Sequence, residues 1–522
     1  MKNKYFTLAI LAFISIFAFI IRTYKLSDIP SGFFTDEASI GYNAYTILTK
    51  GVDEYGISYP IFFRAFGEFK SPIEIYSTAP SIALFGLNEF SVRLPSAIFG
   101  TLTIIAIYFL TKELLSKHKN KKNIALIAAF LLAISPWHIH FSRIAFETTP
   151  FVLFTTLGFY FFLKSKFGIK LLFLSVIFFI LAIYSYSPAR IFIPLFEVGI
   201  FCIYLDSFLK HKKTVIFSLA LALLLLTPLI IFSLSPSGLS RWQQVNIFLQ
   251  PPNNETIFRH ILGNYTSHFS LDFLFLKGDI GMFGQFLTRH SVKGMGELYY
   301  FQFPLLFLGL WYLFLKREKK MLTIIIFWLL LYPVGSMFTI DTSAQATRSI
   351  IGVIPFQILS AVGLYYLFVL FLKLNKLLKY SYITIAFLLM AISFVRYLNL
   401  YFIEYPSYSS GFYGWQYGYR SIISSFRVQS KNFDEVLITH RFNSGDELLK
   451  FYNVTYNCDR CKTMSNPISI DIAKKQLFAL RPDDIDQAMI MYPYLSFDIR
   501  QTIKLPNGET EFWIGTFVPK HK

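Results

Sequence analysis

The stretch Phe33-Phe34-Thr35-Asp36-Glu37-Ala38 places two adjacent carboxylates just beyond an apolar run at residues 6–21. That run has membrane-crossing length, and acids at a membrane surface are costly to desolvate. No nearby cation in the sequence neutralises them. Two readings stand side by side. In one, Thr35 or Asp36 caps a helix over 38–50, with Glu37 favoured by the helix dipole. In the other, Asp36 takes a proton from an acceptor hydroxyl during a group transfer.

The rest of the chain repeats the apolar pattern. Its 522 residues are 54% hydrophobic, 19% aromatic and only 15% charged, with mean hydropathy +0.49. Soluble domains carry more charge. Runs at 91–110, 123–134, 151–163, 171–185, 191–204, 214–233, 303–315, 321–338, 350–372 and 381–394 complete a pattern of about eleven spans. Lys2 and Lys4 precede the first run and no small-residue cleavage site follows it, so it reads as a retained anchor. Every second connection is basic: Lys112 to Lys122, Lys164 to Lys170, Lys210 to Lys213, Lys316 to Lys320 and Lys373 to Lys379. The positive-inside rule makes these loops and the N terminus cytoplasmic. The net charge of +18 therefore carries orientation, with no call for a nucleic-acid partner.

Residues 1–398 are expected to form the membrane domain, with large outer loops at 22–90 and 235–300. Short interfacial helices are expected at 38–50 and 72–85. From about 399 the composition turns soluble. A helix over 420–428 and strands over 435–439, 499–505 and 511–518 predict a small α/β domain at 399–522, outside the cytoplasm. Cys202, inside an apolar run, reads as a small core residue. Cys458 and Cys461 form one Cys-x-x-Cys, open to a local disulfide, a zinc site or free thiols.

The candidate polar residues gather on the outer side. Asp36 and Glu37 open the first loop, and Arg64, Glu68 and Lys70 follow in it. His138, His140, Arg143 and Glu147 line the exit of the third run. Arg190 sits at the next outer turn, Arg289 and His290 in the long loop, and Arg348 at a late outer mouth. Arginines on the outer side are unusual, and such a set can hold a phosphate through paired, charge-assisted hydrogen bonds. Each alone can equally bond carbonyls or lipid headgroups. Lys70 can snorkel or compensate a leaving phosphate. Glu147 can favour a helix start or serve as a second acid. The His138 and His140 spacing is compatible with a metal and equally with structural roles.

These motifs together resemble the GT-C glycosyltransferases of the protein O-mannosyltransferase and aminoarabinose-transferase superfamily. The resemblance rests on Phe34-Thr35-Asp36-Glu37, Lys70-Ser71-Pro72 with Tyr76, Arg93-Leu94-Pro95-Ser96 and the exit from Ser135-Pro136 to Glu147. Phe275-Leu276-Lys277-Gly278-Asp279, Arg289-His290, Ala346-Thr347-Arg348-Ser349, Tyr405-Pro406 and Trp415-Gln416-Tyr417-Gly418 resemble a bacterial subgroup. The likeness covers residues 1 to about 440.

It implies an α-helical polytopic membrane enzyme with a polyprenyl-phosphate sugar donor. A protein, lipid or glycan would be the acceptor, in an inverting transfer on the extracytoplasmic face. Asp36 would be the base, with Glu37 and Glu147 as further acids. Lys70, Arg289, His290 and Arg348 would meet the donor phosphate, and Arg64, Tyr76, His138, Arg143 and Arg190 would line the substrate site. No cofactor is required by this scheme. The resemblance also brings in a divalent metal, with Asp36 and Glu147 as its ligands, and Glu147 stands where the aminoarabinose branch has Asp. The rival class, a transporter or flippase for lipid-linked sugars, calls for ionisable residues near mid-span or two related halves with broken helices. The apolar runs here are largely uncharged at their centres.

Overall fold

A computed structural model describes residues 2–252, 255–280, 289–341, 343–412, 414–465 and 468–520. Helices form where the apolar runs lie. Among the described residues, six are long and apolar enough to cross a membrane: Tyr5–Thr23, Glu89–Leu114, Lys212–Ser233, Lys319–Met337, Ala346–Phe371 and Lys376–Ser409. Ile169–Ile183 and Gln302–Leu315 are apolar but shorter. The expected runs at 123–134, 151–163 and 191–204 are the helices Lys121–Ile134, Thr148–Ser165 and Ala189–Ile203. Cys202 sits exposed on the last of these rather than in a core. That helix buries its other face through Phe192, Ile193 and Phe196.

Contacts divide the described chain into two compact units. The first comprises residues 1–24, 59–77 and 94–400. Its helices pack closely where small residues allow it. A Cβ on Gly363 would lie 2.0 Å from the Leu305 carbonyl oxygen, so the helices Gln302–Leu315 and Val353–Phe371 meet backbone to backbone there. Small residues serve membrane helices in this way, because lipid supplies no hydrophobic drive between them. This unit also holds a short hairpin, β1 (Phe63–Ala65) and β2 (Glu68–Lys70), with Phe63 opposite Lys70.

The second unit comprises residues 25–58, 78–93 and 401–522, so it is more than the C-terminal segment. Its sheet contains β3 (Glu435–Ile438), β4 (Cys461–Thr463), β5 (Gln476–Leu480), β6 (Leu495–Lys504) and β7 (Thr510–Pro519). The order is β4-β3-β5-β7-β6, parallel between β3 and its two neighbours and antiparallel beyond β5. β5 is buried along its whole length, so it lacks the alternation that marks a half-exposed strand. Leu437, Met464, Phe478, Leu480, Ile485 and Ala488 form one core beside it. A disulfide joins Cys458 to Cys461, the first residue of β4.

The same unit contains the helix Thr35–Lys50. Neither Thr35 nor Asp36 caps it. The cap position is Phe34, and the Glu37 carboxylate accepts the Phe34 N–H at 3.3 Å. Glu37 is fully buried and forms a two-pronged ion pair with Arg93, Nε to Oε1 at 2.8 Å and Nη2 to Oε2 at 2.7 Å. Arg93 also donates to the carbonyls of Leu26 and Pro30, both at 3.1 Å, and of Gly32 at 2.8 Å. The rings of Phe33 and Trp415 lie 5.5 and 5.6 Å from the guanidinium carbon. Gly32 has φ +108, and a Cβ there would stand 2.2 Å from the Trp415 carbonyl oxygen, so only glycine fits.

Arg93→Ala should therefore lower stability by about 3–5 kcal/mol, since it strands a buried carboxylate. Thermal unfolding of the purified protein checks this, and an unshifted midpoint contradicts it. Arg93→Lys should recover only part of the loss, because one ammonium cannot reproduce the planar fork.

Candidate active site

In the first unit three chain segments converge on Ser71. The hairpin turns at Phe66 and Gly67, both with positive φ, and delivers Lys70 buried at the end of β2. Pro72 then starts the helix Pro72–Phe85. The Ser71 N–H donates to Glu147 Oε1 at 2.6 Å, and Arg190 Nη2 donates to Ser71 Oγ at 3.3 Å. Glu147 occupies the N-cap position of Thr148–Ser165 without a side-chain capping hydrogen bond. Arg190 lies over the Phe62 ring, 5.5 Å from its centroid, and feels the charge of Glu147. Among the described residues no carboxylate is within ion-pair distance of Arg190, and its buried Nε has no hydrogen-bond partner.

Glu74 lies one turn into the same helix, fully buried, and accepts a hydrogen bond from Ser96 Oγ at 2.7 Å. Burial pushes its carboxyl up to about 8; the Ser96 hydrogen bond opposes that shift and the charge of Glu147 adds to it. Burial thus favours the neutral form of Glu74. Sequence reading passed over it because an acid in the first turn of a helix is ordinary. Tyr76 donates to the Pro60 carbonyl at 2.9 Å and packs on Phe63, which gives it a supporting role for the hairpin. Arg64 is exposed on β1, while Glu68 pairs with Arg241 at 2.9 Å.

The other candidates of this unit divide clearly. Arg348 is ion-paired with Asp341 and donates to Thr339 Oγ1 at 3.1 Å. Asp341, seven residues away, was not singled out from the sequence. Tyr186 lies in the fields of Arg348, Glu147, Arg241 and Glu68, and burial pushes its hydroxyl up to about 12. His290 Nδ1 lies 3.3 Å from Asp279 Oδ2, which also accepts the Ala346 N–H at 2.9 Å. His140 Nε2 meets the Arg289 carbonyl at 2.6 Å, and burial lowers its pKa to about 4. Thr288, beside Arg289, lies outside the described residues.

Two expected substrate contacts have partners within the protein. Arg143 is fully buried and donates to the carbonyls of Ile21 at 2.6 Å and Tyr24 at 2.7 Å. His138 Nδ1 meets Arg22 Nη2 at 2.8 Å, and burial together with that charge holds its pKa well below the usual range. His138 and His140 thus serve separate partners. Among the described residues no group of three or more His, Cys, Asp or Glu is placed to hold a metal.

In the second unit, Asp36 is half-buried in the first turn of Thr35–Lys50. Its neighbour Glu37 is ion-paired with Arg93.

Comparison with known proteins bears on this arrangement. Residues 70–232 match the family described as dolichyl-phosphate-mannose-protein mannosyltransferase. No curated protein matches the sequence. Among solved structures the chain is similar to ArnT from Cupriavidus metallidurans bound to undecaprenyl phosphate, with a TM-score of 0.57 at 12% identity over 97% of each chain. The apo form of that protein gives 0.55 at 13% identity, covering 99% of this chain and 98% of that one. The archaeal oligosaccharyltransferase AglB from Archaeoglobus fulgidus, in complex with an inhibitory peptide and a dolichol-phosphate, gives 0.52 at 14% identity, covering 89% of this chain and 65% of that one. The chain thus shares its fold with these solved membrane proteins, and residues 70–232 match the mannosyltransferase family model.

Proposed function

We propose that this protein transfers a sugar from a polyprenyl-phosphate carrier to a hydroxyl of a protein, lipid or glycan acceptor on the extracytoplasmic side of a membrane. The observation that carries this reading is the convergence of Lys70, Glu147 and Arg190 on Ser71. It gathers two cations at one turn, one of them without a carboxylate partner. A phosphate is the natural counter-ion for such a pair. A donor that reaches the site from within the bilayer needs no nucleotide-binding domain. ArnT, of the same fold, has been solved with undecaprenyl phosphate bound, which supports the choice of carrier.

The proposed reaction is a single inverting displacement. Asp36 accepts the acceptor's proton as its oxygen attacks the anomeric carbon. The bond from that carbon to the phosphate oxygen breaks, and Lys70 and Arg190 stabilise the charge gathering on the leaving phosphate. Glu147 fixes the Ser71 backbone and so the direction of Lys70. Arg348, already paired with Asp341, serves as a positioning residue. The scheme requires no covalent intermediate and no cofactor.

The proposed topology has about eleven spans, the N terminus inside and residues 399–522 outside, from the alternation of basic loops. Single cysteines at Lys117 and Asn432, probed with an impermeant reagent on intact cells, should label at 432 only. The opposite pattern rejects this orientation.

Asp36→Asn should lower turnover about 10²–10⁴-fold while expression and donor binding stay near wild type. A helix-capping role predicts an active Asn variant instead, since Asn caps as well as Asp. Wild-type turnover in the folded variant returns Asp36 to a structural role.

Lys70→Ala and Arg190→Ala should each impair use of the donor more than use of the acceptor. Steady-state kinetics with either substrate varied reads the difference. Unchanged donor kinetics in both variants would place the phosphate elsewhere.

A further inference from the structure

A groove with a basic end lies in the first unit, apart from the residues assigned to the reaction. The helices Glu89–Leu114 and Thr148–Ser165 leave a groove of about 330 Å³ between them. Its lining is Leu102, Ile105, Ala106, Phe109, Leu153, Leu157, Tyr160 and Phe161, and it ends at Lys164. From Leu102 to Phe109 the groove follows about 10 Å of helix. Glu89–Leu114 is long and apolar enough to cross a membrane and Thr148–Ser165 coincides with the apolar run at 151–163, so on the proposed topology the groove's walls meet hydrocarbon.

Its charged end is one-sided. Lys164 Nζ donates to Tyr160 OH at 2.8 Å and lies 5.2 Å from that ring's centroid. Lys112 Nζ lies 5.0 Å from the centroid of Phe109 and 5.5 Å from that of Tyr108. The charges of Lys164, Lys121 and Lys122 all repel that of Lys112, and only Glu113 attracts it among the residues that act on it. Among the described residues neither Lys112 nor Lys164 has a carboxylate within ion-pair distance. Aromatic faces and one phenol hold the ammoniums at the groove's mouth, and among the described residues neither is ion-paired with a carboxylate.

We infer that the groove binds an anionic glycerophospholipid, with one acyl chain along Leu102 to Phe161 and its phosphate between Lys112 and Lys164. Lysine stems extended along apolar surface, with their charge at headgroup level, match that occupant. Basic pockets between membrane helices recognise anionic headgroups, whereas a scattered excess of lysine in loops only orients the chain. A zwitterionic lipid can fill the same groove but leaves the charge unanswered. The site would couple the packing of these two helices to the leaflet's anionic lipid content. It stands independently of the proposed reaction.

Delipidated full-length protein in detergent, exposed to equimolar phosphatidylglycerol and phosphatidylcholine, tests this by native mass spectrometry. The expected result is about tenfold preference for phosphatidylglycerol. That preference should vanish in Lys112→Ala/Lys164→Ala and persist in Lys112→Arg/Lys164→Arg. Leu157→Trp, which fills the groove and keeps both lysines, should reduce retention of both lipids. Equal retention by the wild type overturns the inference. So does a preference that survives the alanine pair in folded protein, or unchanged retention in Leu157→Trp. Displacement of phosphatidylglycerol by equimolar polyprenyl phosphate also overturns it, by making the groove a carrier site.

Discussion

The second unit depends on the buried ion pair between Glu37 and Arg93. Neither side chain is exposed, so each charge forgoes water at a cost of several kcal/mol. The pair is tolerable because its hydrogen bonds are shared out so completely. Glu37 accepts both prongs of the guanidinium and the Phe34 N–H, and Arg93 spends its other donors on the carbonyls of Leu26, Pro30 and Gly32. Those three carbonyls belong to the loop that leads into the helix Thr35–Lys50. The loop's path, the start of the helix and the placement of Asp36 in its first turn all follow from one guanidinium.

That dependence also marks the limit of what the sequence discloses. The apolar runs are legible because a bilayer demands continuous hydrophobic length, and helices lie where each run was read. The helices Thr35–Lys50 and Pro72–Phe85 were legible from polar punctuation and a leading proline. Strand β5 was not, because burial on both faces removes the alternation that identifies a strand. The partner of Glu37 was not legible either. Arg93 lies 56 positions away at the head of another helix, and only the folded chain brings it close.

Three arginines, 143, 190 and 348, looked equivalent as outward cations beside apolar runs. Folding gives each a different electrostatic condition. Arg143 donates to the carbonyls of Ile21 and Tyr24 at the end of the first helix, where helix C-termini attract cations. Arg348 is neutralised by Asp341. Arg190 has a serine hydroxyl and an aromatic face but, among the described residues, no carboxylate within ion-pair distance. Sequence spacing carries none of these distinctions, since all three sets of partners are remote or irregular in sequence.

The electrostatic balance around Ser71 then bears on the direction of catalysis. Lys70 and Arg190 stand against Glu147, while burial favours the neutral form of Glu74, its carboxyl pushed up to about 8. An ionised Glu74 would cancel the remaining positive charge and repel an arriving phosphate. Held neutral, it leaves that charge in excess. The proposed donor is a phosphodiester with one negative charge, and the leaving carrier phosphate gains a second as the sugar departs. A site with excess positive charge therefore stabilises the separating state more than the bound donor, and only such differential stabilisation accelerates the chemical step.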